Sequence, residues 1–125
     1  MTTKAMGINV ALLLRVADVI AKHPEQFHMD QWDCGTTACI AGWAWRLARP
    51  DEDWWGARTG DLHPSTFLLG LKCEQTGELF AEPGWPAEFR SRHCDTAAER
   101  ADKAVRRIHA FLDEHAPGWR KEAKL

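Results

Sequence analysis

The sequence predicts an all-α fold, a compact single-domain bundle of about four to five helices. Three observations lead there. Apolar residues recur at spacings of three and four in several segments, the signature of a helix with one buried face. No window alternates apolar and polar residues for more than a few positions, so strand signals are almost absent. The 125 residues suit one domain, which at this size buries roughly two-thirds of the surface its unfolded chain exposes.

The elements follow in order. Leu12, Leu13, Val16, Val19 and Ile20 form an apolar stripe opposite Arg15, Asp18 and Lys22. Asn9 is placed to cap this helix, and His23-Pro24 ends it, because the residue before proline is pushed out of the α region. "PEQFHMDQW" reads as a connector with Phe27, Met29 and Trp32 turned inward. A second helix is expected from about Thr37 to Ala48 with Thr36 or Thr37 as its cap. Its face of Ala38, Ala41, Gly42, Trp45 and Ala48 is small enough to admit a neighbouring helix closely. Gly42 inside it costs up to about 1 kcal/mol relative to alanine, which implies a packing reason. "RPDEDWWGARTGDLHP" is polar, holds Gly56 and Gly60, and reads as a long loop. "PSTFLLGL" makes a short helix with Pro64 at its start, and "CEQTGELF" another before "AEPGWP". The last helix is the clearest: Thr96 and Glu99 form a capping box, and Ala101, Ala104, Val105, Ile108, Phe111 and Leu112 make its buried stripe. Arg100, Lys103, Arg106 and Arg107 fall mainly on its other faces, and Pro117-Gly118 closes it. One domain is expected over residues 1–125, with its core over about 8–115 and a frayed tail at 116–125.

Composition narrows the function. The net charge of −2 exerts no overall pull toward nucleic acid or anionic lipid. No apolar run approaches the ~20 residues that span a bilayer. The amino-terminal segment "MTTKAMGINVALLLRV" lacks a small-residue cleavage site and reads as a helix, so a cytoplasmic location and free thiols are expected. Seven Trp against no Tyr is an unusual aromatic usage.

Four chemistries compete for the candidate residues. Cys34 precedes a helix start, where the macrodipole lowers a thiol's pKa and favours the nucleophilic thiolate. The histidines lie in turns or on helices without an orienting partner, so a cysteine-dependent enzyme stays the alternative. A zinc site from Cys34, Cys39 and His28, or with His93, is a second alternative, although Cys34 and Cys39 are spaced more widely than a zinc knuckle. A Cys34–Cys39 disulfide is disfavoured in a reducing compartment. A small DNA-binding helical protein is a third, resting on Arg100, Lys103, Arg106, Arg107, Arg120, Lys121 and Lys124. Acids at Glu99, Asp102, Asp113, Glu114 and Glu122 interrupt that series, which is the pattern of a solvated face with i, i+4 pairs. The preferred reading is a small non-enzymatic binding protein with no cofactor. Its recognition loop is "DEDWWGAR", where Trp54 and Trp55 supply stacking area beside Arg58, Asp51 and Asp53.

"HPEQFHMDQW", "CGTTACIAGWA", "LLGL", "LF" followed by "WP", and a helix ending "RRIHAFL" together resemble a family of small proteins of bacteria, often actinobacteria, and of their phages. The resemblance covers roughly His23 to Leu112. The family has no established activity, so no catalytic residue transfers from it. It implies that Cys34, Gly35, Thr36, Cys39, Ala41, Gly42 and Trp43 form a shared structural motif. Cys73 stands where a polar residue is more usual, and Cys94 lies outside the pattern. The expectation is an accessory protein of a phage or mobile element that engages a protein or small ligand.

Overall fold

The computed structural model of the protein describes residues 8–27, 39–51, 65–80, 85–90, 92 and 95–122. Among these the chain is all-α: α1 (Val10–Lys22), α2 (Ile40–Ala48), α3 (Ser65–Leu69), α4 (Cys73–Phe80), α5 (Ala97–His115) and α6 (Trp119–Glu122), with 3-10 turns at Pro24–Gln26 and Ala87–Phe89. No described helix is long and apolar enough to cross a membrane.

The two long helices, α1 and α5, lie against each other, and α2 packs on α1 and then on α3. Asn9 caps α1 through its side chain, which accepts from the Leu12 N–H at 3.1 Å. Leu12, Leu13, Val16, Ala17 and Ile20 are buried on the face that meets α5 and α2. The helix ends at His23 before Pro24, with the His23 N–H still donating to the Val19 carbonyl.

The second helix starts later than expected, and its cap position is Cys39, in extended backbone conformation, with its Sγ accepting from the Gly42 N–H at 3.5 Å; the expected caps Thr36 and Thr37 lie outside the described residues. This cap position is only 2% exposed, and a thiol tolerates such an apolar setting better than a hydroxyl, since it behaves as a small hydrophobe. Of the expected face, Ala41, Gly42 and Trp45 are buried, joined by Ile40 and Ala44, whereas Ala48 is exposed at the helix end; residue 38 lies outside the described residues.

Gly70, at φ 70°, terminates α3 in the left-handed region that glycine enters without a Cβ clash. The Leu71 N–H then returns to the Thr66 carbonyl at 3.0 Å, the six-to-one bond of a Schellman ending. The side chain of Gln75 accepts from the Lys72 N–H at 2.8 Å and secures the start of α4.

Thr96 and Glu99 form the expected capping box on α5, with reciprocal bonds of 3.1 and 2.7 Å. Ala101, Ala104, Ile108, Phe111 and Leu112 are buried as the periodicity requires, while Val105 is only half-buried. Two features differ from expectation. Arg107, placed on a solvent face by the sequence pattern, is buried at 5% exposure. The tail expected to fray after Pro117-Gly118 instead turns at Gly118, φ 92°, and re-forms helix as α6, burying Trp119 to 2% exposure.

Two substitutions separate capping from packing on α5. Thr96→Ala should lower the unfolding free energy by about 1 kcal/mol. Ile108→Ala, at a fully buried position, should lower it by about 2–5 kcal/mol through lost transfer energy and the cavity left behind. Urea unfolding monitored by circular dichroism measures both.

Candidate functional site

Most of the residues singled out in the sequence lie outside the described residues: His28, Cys34, Gly35, Thr36, Asp53, Trp54, Trp55 and Arg58. Asp51 is described and is exposed in the turn that follows α2. The rest of the cysteine-glycine motif is built into α2. Cys39 caps it, Ala41 and Gly42 are buried, and Trp43 is half-buried with its Nε1–H donating to the Gln26 carbonyl at 2.9 Å. The Arg46 guanidinium carbon sits 4.8 Å from the centre of the Trp43 ring. These described motif residues therefore cap, pack and tie α2 to the 3-10 turn before it.

The densest polar chemistry is on α5. Arg100, Lys103 and Arg107 are spaced i, i+3 and i+7, so they share one face. Each donates to a carbonyl elsewhere: Arg100 to Asp95 at 3.0 Å, Lys103 to Arg90 at 3.2 Å, and Arg107 to Glu78 at 3.0 Å. Lys103 also pairs with the Asp95 carboxylate at 2.7 Å, and both side chains are largely buried, at 17% and 9% exposure. That carboxylate accepts from the Arg92 N–H at 2.7 Å as well. The Lys103 hydrogen bond, followed by the Arg92 N–H, holds the Asp95 pKa below the usual carboxylate value. Beside this pair, Glu88, Arg92, Asp102, Lys103 and Arg106 line an open groove of about 620 Å³. Its charges are of both signs, so they do not sum to one strong field.

Two clusters gather at the carboxyl end of α5. In the first, His115 Nε2 lies 2.6 Å from Glu78 Oε1 on α4 and 3.6 Å from Glu114 Oε1. The Phe111 ring, with centroids 4.6 Å apart, backs the imidazole. Arg107 is close enough that Glu114 and Glu78 support its charge, although burial pulls its pKa below the ordinary arginine value. Its Nε is buried and has no hydrogen-bond partner among the described residues. In the second cluster, Asp113 Oδ1 accepts from the Trp119 indole N–H at 2.8 Å and from Arg120 Nε at 3.3 Å. His109 lies against the Trp119 ring with centroids 5.2 Å apart, and Arg120 covers the ring at 4.6 Å. Neither cluster was signalled in the sequence, because Glu78 and His115 are 37 positions apart on separate helices and Trp119 follows a helix-ending Pro-Gly.

Comparisons with protein-family models, with curated proteins and with solved structures found no match to this chain.

The second cluster sets a pH dependence. Burial, then the Arg120 charge, lowers the His109 pKa from 6.5. The unfolded chain therefore binds that proton more readily than the folded one, and stability falls as pH drops below 6.5. The hydrogen bonds from Trp119 and then Arg120 lower the Asp113 pKa from 3.8, so its contribution is present above 3.8 and is lost as pH falls through the folded value. Denaturant unfolding of wild type should accordingly weaken between about pH 7 and 5, and His109→Gln should lose less stability over the same interval. Asp113→Asn should instead flatten the decline that begins below about pH 4.

Proposed function

We propose that the protein is a small non-enzymatic binding protein that engages a protein or small-molecule partner through the segment Asp51 to Arg58. The observation that supports this is the platform on either side of the segment. Helices α2 and α3, which bracket it, pack against each other. Ala44 and Trp45 before it, and Thr66 and Leu69 after it, are buried. The chain nevertheless reaches the surface at Ala48, Arg49, Pro50 and Asp51. A polar segment carried between two packed helices has its feet held by the core, which is how scaffolds present recognition loops. Trp54 and Trp55 bring the aromatic area that dominates contact energies, and Arg58, Asp51 and Asp53 bring orientation.

Five of the seven cations that suggested a nucleic-acid role are engaged within the molecule. Arg100, Lys103 and Arg107 hold backbone carbonyls, Arg106 pairs with Asp102 at 3.1 Å, and Arg120 pairs with Asp113. Phosphate binding needs such side chains available to displace counterions, so a protein or small-ligand partner fits this surface better. Chemistry at Cys34 rests on the sequence alone. The resemblance to small bacterial and phage proteins accords with an accessory binding role.

The test is cross-linked partner capture with wild type and with the double variant Trp54→Ala/Trp55→Ala. The double variant should lose the partner that wild type enriches, with a melting temperature close to wild type. An unchanged partner set would contradict the proposal.

A further inference from the structure

We infer that Glu78, Glu114 and His115 form a binding site for a divalent transition-metal ion of the zinc class, bridging α4 to the end of α5. One ligand atom from each residue lies within 4.8 Å of the other two. The donors are two carboxylates and one imidazole, a mixed oxygen and nitrogen set that suits zinc and its neighbours and not magnesium or calcium, which take oxygen ligands. Tetrahedral zinc with bonds of about 2.0–2.1 Å places its ligand atoms roughly 3.3 Å apart. His115 Nε2 and Glu114 Oε1, at 3.6 Å, already meet that spacing. His115 Nε2 and Glu78 Oε1, at 2.6 Å, need only open by the amount a bridging ion requires in place of a bridging proton.

The surroundings support a cation there. The His115 side chain is 19% exposed and held against Phe111, whereas Glu114 is 64% exposed and leaves an approach from solvent. Two of the ligands, Glu114 and His115, lie in the last turn of α5, where the helix presents its partial negative end. Arg107, whose charge Glu78 and Glu114 both support, opposes the ion. It remains on the Glu78 carbonyl at 3.0 Å, so the two carboxylates are left with a net negative charge when His115 is neutral. Binding uses the lone pair on His115 Nε2. The remaining coordination position is filled by water.

Calorimetric titration of zinc chloride into the full chain tests this. Wild type should take up one equivalent. Glu114→Gln and His115→Gln should each weaken uptake at least about tenfold. Glu114 is a solvent-facing side chain, so its variant decides the matter even if His115→Gln fails to fold. Absence of uptake by wild type would overturn the site and leave His115–Glu78 as an ion pair only. Uptake unchanged in Glu114→Gln would overturn it too, by placing the ion elsewhere, as on the thiolates of Cys34 and Cys39.

Discussion

An α-helix leaves its last four carbonyls without partners however short it is, and a chain built largely from short helices must find donors for many of them. In this protein several of them are met by donors outside the helix itself. The Leu68 and Leu69 carbonyls at the end of α3 accept from the side chain and backbone of Asn9 at 3.3 and 2.8 Å. At the end of α4, the Glu78 carbonyl accepts from Arg107 at 3.0 Å and the Leu79 carbonyl from the Trp85 indole at 3.1 Å. The Gln26 carbonyl, closing the first 3-10 turn, accepts from Trp43. A buried carbonyl without a partner costs about 1–3 kcal/mol, so each tie fixes a helix end as well as a helix position.

Helix α5 organises this arrangement because it carries two stripes. Its apolar stripe packs on α1 and supplies the transfer free energy of the core. Its cationic stripe of Arg100, Lys103 and Arg107 gathers carbonyls from the segment between α4 and α5 and from α4 itself. Two opposing terms meet at Arg107. Removing a guanidinium from water is expensive, and its Nε meets no partner among the described residues. Against this stand a charge-assisted bond to a helix-end carbonyl, worth about 1.5–3 kcal/mol, the field of Glu78 and Glu114, and the Phe111 ring 5.9 Å away. The same residue thereby links the fold to the cluster at the carboxyl end of α5.

What was legible in the sequence was local. Asn9, His23-Pro24 and the Thr96/Glu99 box act within a few residues of themselves, so their spacing suffices to read them. The apolar stripes of α1 and α5 are likewise properties of one helix. What was not legible depended on tertiary packing or on a local setting that the sequence pattern does not mark. The burial of Arg107 follows from the Glu78 carbonyl 29 positions away, and nothing in the period of α5 marks it. Trp119 folds back onto His109 and Asp113 only because Gly118 turns the chain. The capping role of Cys39 was masked by two threonines nearby that are better caps in an exposed setting. The candidate site was legible only as composition: of its residues Asp51 is described, at the surface, while the Glu78, Glu114 and His115 cluster arises from the packing of α4 on α5.

The interaction on which most depends is the capture of a helix-end carbonyl by Arg107, and Arg107→Met isolates it by keeping an unbranched apolar stem while removing the donor. The measurement is the unfolding free energy of this variant from urea titration, with wild type alongside. If the carbonyl tie outweighs the desolvation of the guanidinium, Arg107→Met is less stable by about 1–3 kcal/mol. Stability equal to or above wild type would contradict this, because it would mean that burying the charge costs as much as the tie returns.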